Sequence, residues 1–514
     1  MQRTLSLADV LALQDYVTIG GDLLLLPQVR LPNLSESFAL QKAGIIDIET
    51  SMTARNRLSL QQIDEENRYY HERAYGNPEP AWVAQLPLHR QKWLRWSYAT
   101  RELDPIANMV MLPNTGLYYM VLADGLCHRA AQVLDLFRLQ EVNQLGFLQA
   151  PWVAMTNQHF VTPLSNSTRW LHSLDVMCVG SAIGRNIGLE ERGAFSTLRT
   201  ALLSHDRGTP AGGDSVKLID PKAFDEDRHY KRLLRTKTNR RRWNDLKEKY
   251  DIDELLLVET IHNRGFLGQI LDIADKLSYV ARDIESCMNV FVAEKDEDVY
   301  VGMKALDELL KEQRTICGIW DSVRRQGDQM VFIDAGRLIA FLKARIVLFR
   351  ELYFHPRARF GEYLISRVLV KHMYDQGKLT RDQLLGMSDG RLLQLLQEEY
   401  GEWNVVRALS LKSQVRSFQT REQASAFKRE LEQEGNPFSL VEDHLHAVKT
   451  GAHFWVDCPG GPKPLSEAYP GDAQELWEMA NMLPAVHVYY LNKGDDPADD
   501  IGTILGRIRQ TALT

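Results

Sequence analysis

Between Asn143 and Asp283, clusters of histidine and aspartate recur at long spacing, each beside an apolar run of helical periodicity. The first lies in Arg169-Trp170-Leu171-His172-Ser173-Leu174. The second is Ser204-His205-Asp206-Arg207-Gly208, and the third spans Asp275 to Asp283. Helices patterned this way must bury one face against each other. Polar clusters at or near their ends can then converge on one point. The arrangement predicts a metal site inside a helical bundle. A divalent cation that activates water needs three or four imidazole or carboxylate ligands and an open position. His172, His205, Asp206 and Asp275 can supply them. Consecutive helical residues point about 100° apart. His205 and Asp206 can therefore reach one ion only at a helix end or beside a second ligand source. Taken alone, this pair also fits a surface or capping role.

The rest of the chain sets this stretch in a mainly α protein. Residues 109–122 read as a hairpin turning at Pro113-Asn114-Thr115-Gly116. Helical spacing covers 125–145, 171–187, 190–204, 225–250, 255–288 with a break at Gly265, 307–324, 335–354 and 360–375. Residues 208–224, rich in Gly, Pro and Asp, read as a loop carried on a helix end. Beyond Gly377 short helices alternate with strands near 410–416, 451–456 and 486–491. The organisation expected is an N-terminal extension (1–105), a helical core (106–375) and a smaller α+β C-terminal lobe (376–514). In the extension, 5–16 and 59–74 read as helices and 23–29 as a strand.

A net charge of −7 argues against a globally basic nucleic-acid binder. A local exception is 231–242, with seven Lys or Arg and no acid. It reads either as a solvated helix face or as a phosphate or nucleic-acid contact. The five cysteines are scattered without a CxxC pair, which speaks against a disulfide framework or zinc ribbon. No apolar run approaches the length of a membrane span. A cytoplasmic protein is expected, with no membrane partner.

The order His…His-Asp…Asp resembles that of the HD-domain phosphohydrolases. Within them, residues 106–375 are most similar to the deoxynucleoside triphosphate triphosphohydrolases, the group of the dGTPases and the sterile-alpha-motif/HD-domain dNTPase. The motifs carrying the resemblance are Asn143-Gln144-Leu145-Gly146, Arg169-x-x-His172-Ser173-Leu174, the stretch from Asp275 to Asp283, and Arg345 with Tyr353 eight residues on. The resemblance implies one divalent ion per chain (Mn, Mg, Fe or Zn) on His172, His205, Asp206 and Asp275. It implies that Arg169, Lys276 and Arg345 meet a triphosphate. Gln144, Tyr279 and Asp283 would contact the sugar, Leu145 would press where a 2′-hydroxyl would sit, and Tyr353 would stack near sugar and base. The activity implied is hydrolysis of a dNTP to deoxynucleoside and triphosphate. A nucleotide activator and a homo-oligomer are implied partners.

After the His-Asp pair the chain leaves the family pattern. Thr209 and Asp214 stand where two loop histidines are usual, and Asp225 or His229 aligns with a third. Those histidines serve the leaving group and the phosphates in the family. Asp214 is therefore the expected replacement proton donor, which requires a raised pKa. The departure keeps two other readings open: a nucleotidase or phosphodiesterase, and a nucleotide-sensing or assembly protein.

Overall fold

A computed structural model of the 514-residue chain describes residues 80–87, 91, 94, 109–112, 117–120, 125–149, 168–189, 191–224, 230, 240–291, 316, 319–327, 329–354, 356–401, 405, 414–435, 439–443, 450–451 and 453–490. The helices read at 5–16 and 59–74 and the strand at 23–29 lie outside these residues, as do Asp225, His229 and 231–239. Two compact units divide the chain, 1–131 and 132–514.

In the first unit, β1 (Met109–Leu112) and β2 (Leu117–Met120) form the expected antiparallel hairpin, with Met109 opposite Met120. The helix expected over 125–145 covers only Gly125–Val133. The chain turns at Asp135, whose φ is 54°, and continues as a short 3-10 helix, Phe137–Glu141.

The second unit is built around α1 (Arg169–Asn186). Fifteen of its residues, from Arg169 to Gly184, are buried, so the helix is enclosed on all sides. Its start is fixed by Thr168, whose side chain accepts from the Leu171 amide. α2 (Arg192–Ser204) packs along α1 and runs directly into a 3-10 turn, His205–Gly208. The following loop contains a short helix, α3 (Gly213–Lys217), within the span read as coil. α4 (Arg240–Tyr250) begins with three exposed arginines, the described end of the basic stretch.

The long helical pattern of 255–288 is two helices, α5 (Glu254–Ile261) and α6 (Gly265–Phe291). Positive φ at Asn263 (54°) and Gly265 (65°) makes the break where the sequence placed it. α6 lies against α1. Next, the helix expected over 307–324 is not what its end forms. β3 (Val323–Gln326) pairs with β4 (Gln329–Phe332) around Gly327, at φ 62°. A glycine-centred reversal there outweighs the helical spacing.

α7 (Ala335–Leu348) continues as a π-helical turn, Phe349–Tyr353. α8 (Pro356–Tyr363) is the first part of the helix running on to Asp375. Two short helices follow, Arg381–Gly386 and α9 (Asp389–Tyr400), as the sequence predicts.

Past residue 405 the α+β part appears. β5 (Gln414–Phe418) leads through α10 (Arg421–Gln433) to β6 (Ser439–Asp443). β7 (Trp455–Val456) and β8 (Lys463–Pro464) extend the β3–β4 hairpin into a four-stranded sheet. α11 (Pro470–Asn481) packs on α7. β9 (Val486–Tyr490) then inserts between β5 and β6, antiparallel to both. The molecule is mainly α with a smaller α+β part. Among the described residues, no helix is long and apolar enough to cross a membrane.

Candidate metal and phosphate site

Three helices bring the predicted ligands together. Arg169 and His172, three residues apart on α1, share one helical face. His205 and Asp206 sit where α2 tightens into its 3-10 turn, which resolves the divergence of neighbouring helical side chains. Asp275 comes from α6. One ligand atom from each of His172, His205 and Asp206 falls within 4.8 Å of the others. His172 Nε2 is 3.0 Å from Asp275 Oδ1 and 3.8 Å from Asp206 Oδ2. His205 Nε2 is 3.7 Å from each of these two oxygens.

The donor set fits a divalent ion. Atoms about 2.0–2.2 Å from an ion stand about 2.8–3.6 Å apart when they are neighbours in its shell. The four separations fall in or just beyond that range. The tautomer fits as well: His205 Nδ1 donates to the Leu202 carbonyl at 2.8 Å, leaving Nε2 with its lone pair toward the site. That Nε2 is buried and has no hydrogen-bond partner. Asp206 is 4% exposed. Burial pushes its carboxyl pKa up, but Arg169, His205 and His172 outweigh this and hold it well below the usual range. Burial likewise opposes ionisation of Asp275, and the His172 hydrogen bond with the two histidines nevertheless lowers its pKa.

The loop around this cluster is braced by groups the sequence did not reveal. Arg138 donates to the carbonyls of Arg207 (2.5 Å) and Thr209 (2.9 Å). Asp389, the first residue of α9, accepts from the Asn143 amide at 2.8 Å and the Gly212 amide at 2.7 Å. Burial outweighs those two bonds and raises its pKa to about 6. The sequence offers only a local cap signal here, Ser388, whose hydroxyl accepts from the Arg391 amide. Asp389 therefore ties the Asn143–Gly146 turn to the loop after the His-Asp pair. Gly146, at φ 55°, is pressed there so closely that a Cβ would lie 2.4 Å from the Gly212 carbonyl oxygen.

The residues predicted to meet phosphate are already engaged with protein. Arg169 contacts Asp206 at 3.1 Å and Asp214 at 2.5 Å. Asp214 is held from its other oxygen by Lys217, 2.8 Å away. Lys276 pairs with Asp272 and lies 5.7 Å over the Phe454 ring. These contacts correct the expected role of Asp214. Although 68% of its side chain is exposed, close packing of protein around the carboxyl pushes its pKa up; Arg169 and Lys217 more than offset that, and it lies below the ordinary carboxylate range. An ionised carboxylate between two cations cannot serve as the proton donor. Thr209 is fully buried, 3.4 Å from Asp206 Oδ1, and braces that ligand.

The predicted sugar-side residues form a second group along α6 and the end of α7. Arg345 donates to the Tyr279 hydroxyl, and the Tyr353 hydroxyl donates to Asp283. Burial raises the Tyr279 pKa to about 12 against the pull of Arg345. It raises Asp283 to about 7, opposed by Tyr353, Arg169 and Arg282. Oδ1 of Asp283 and Oε1 of Gln144 are buried without a hydrogen-bond partner. Leu145 is half-buried beside Gln144 in the same turn.

The chain matches no protein-family model and no curated protein. It is similar to two solved structures at TM-score 0.50. One is a hypothetical protein from Aquifex aeolicus, 17% identical over 74% of this chain and 95% of that one. The other is a phosphohydrolase from Bacteroides thetaiotaomicron, 14% identical over 72% and 96% respectively. At these identities the likeness speaks for the fold alone: this chain shares the fold of these two proteins.

Proposed function

We propose that this chain is a metal-dependent phosphohydrolase acting on 2′-deoxynucleotides. The observation that carries the reading is the convergence of His172, His205 and Asp206 at ligand spacing, with Asp275 beside the two histidines and a buried His205 Nε2 turned to the same point. A divalent ion held by these four residues would lower the pKa of a bound water and offset charge on a phosphoryl oxygen. Thr209 and Arg169 fix the orientation of Asp206. Gln144 and Asp283 offer open acceptors to a sugar hydroxyl, and Tyr353 fixes the Asp283 carboxyl. A site built to hydrogen-bond one hydroxyl discriminates strongly, because a mismatched polar group stays buried and unpaired. Leu145 beside it favours a sugar lacking the 2′-hydroxyl.

Family resemblance makes a dNTP the substrate, with deoxynucleoside and triphosphate as products, and a homo-oligomer with a nucleotide activator as the working form. The pairing of Arg169 with two carboxylates favours a second reading, hydrolysis of a less charged phosphate ester. The test is incubation of the purified chain with each dNTP and each deoxynucleoside monophosphate, plus Mn²⁺ or Mg²⁺, with the products resolved. Triphosphate release supports the first reading and inorganic phosphate from monophosphates the second. Turnover of neither, or equal turnover of ribonucleotides, rejects the deoxynucleotide assignment.

A further inference from the structure

The Arg169 guanidinium is 6% exposed, and its two terminal nitrogens are committed to two carboxylates. One of these, Asp206, is buried among the candidate ligands. The other, Asp214, exposes 68% of its side chain, so it stands between Arg169 and solvent. It also holds Lys217 with its second oxygen. A phosphate and a carboxylate compete for the same guanidinium fork. An anion that takes the Arg169 terminal nitrogen facing Asp214 displaces that carboxylate, which keeps Lys217 on its other oxygen and stays beside the incoming charge. Nearby, Lys276 is already paired with Asp272, and Arg345 with a phenol.

We propose that Asp214 is a charge gate that determines specificity by phosphate charge: it admits a singly phosphorylated ester and disfavours a triphosphate. The inference rests on the second reading above, a less charged phosphate ester bound at Arg169, and runs against the dNTP reading. Repulsion grows with the charge on the ligand while the displaced ion pair stays the same, so the penalty is greatest for the longest phosphate chain. A histidine at this position would add no fixed negative charge, which is why the departure from the family pattern matters here.

The test is a calorimetric titration of the full chain with inorganic phosphate and with inorganic tripolyphosphate, both at the same excess of Mg²⁺. Wild type is compared with Asp214→Asn and Asp214→Glu. The expected result is that Asp214→Asn binds tripolyphosphate at least about tenfold tighter relative to phosphate than wild type does, the scale of one contact to a charged group. Asp214→Glu, which keeps the charge, should retain the wild-type ratio. An unchanged ratio in Asp214→Asn overturns the gate, as does the same gain in Asp214→Glu. If Asp214→Asn gains tripolyphosphate while neither protein hydrolyses any deoxynucleotide, the gate stands and the proposed function falls.

Discussion

The two sides of the site differ in how far the protein satisfies its own polar groups. On the side proposed to meet phosphate, the two terminal nitrogens of Arg169, with Asp214, Lys217, Lys276 and Asp272, are closed into ion pairs. On the metal and sugar sides, His205 Nε2, Asp283 Oδ1 and Gln144 Oε1 are buried without hydrogen-bond partners. A buried polar atom without a partner costs about 1–3 kcal/mol, so a ligand that supplies the missing partner regains that energy. A ligand on the paired side must first break contacts. Under the proposed function, the open side is preorganised to bind and the closed side to discriminate.

The largest effect should come from the metal side. His205→Ala with Asp206→Ala removes two of four candidate ligands. Losing a group that merely orients a ligand costs roughly 10–100-fold in metal affinity, so the double variant should lose more than that. Metal analysis after dialysis checks it, and equal occupancy in both proteins would break the comparison at its root.

Next in size is the pH response of Asp283. Its carboxyl titrates near 7 in the folded chain and near 3.9 when unfolded, by about 1.36 kcal/mol per unit of difference. The folded state keeps a proton that the unfolded state releases. The contribution of this one group to stability is therefore full below about pH 4 and is lost as pH rises through about 7, by up to about 4 kcal/mol. Asp283→Asn should remove this component. Denaturation midpoints of both proteins at pH 5 and 8 measure it, and parallel pH dependence would show that Asp283 is not strained by burial.

A smaller effect is expected at the contact that joins the sugar-side turn to the metal-side loop. Gly146→Ala places a side chain at φ 55° and against the Gly212 carbonyl. The backbone strain alone costs roughly 1–2 kcal/mol. A lowered denaturant midpoint with weakened metal binding is the expected outcome, and an unchanged midpoint would mean the two loops are not tightly joined. The smallest effect belongs to Tyr353→Phe, which leaves Asp283 without its donor. Deoxynucleotide affinity should fall about tenfold, as for a hydrogen bond to a charged group, with metal content unchanged.

Much of this was legible in the sequence for physical reasons. The break between α5 and α6 was marked by Gly265, the β1–β2 hairpin by two short apolar segments, and the course of α2 by apolar periodicity. The β3–β4 hairpin was not, because its strands are only four residues long and part of its sheet is completed by β7, more than a hundred residues away. The partners of Asp389 were hidden for the same reason: 246 residues separate it from Asn143.

What the sequence alone determined is which residue types could carry chemistry and which helices would present them, since both follow from local spacing. His172, His205 and Asp206, which cluster in the structure, were candidate ligands without coordinates. Only the tertiary structure decided the charge state of what surrounds them. Asp214 reads as a candidate acid until Arg169 and Lys217 are placed against it, and Asp283 as an ordinary acid until burial raises it to about 7. A side chain's pKa is set by solvent exclusion and by charges brought close from distant parts of the chain, and neither is written in the order of its neighbours.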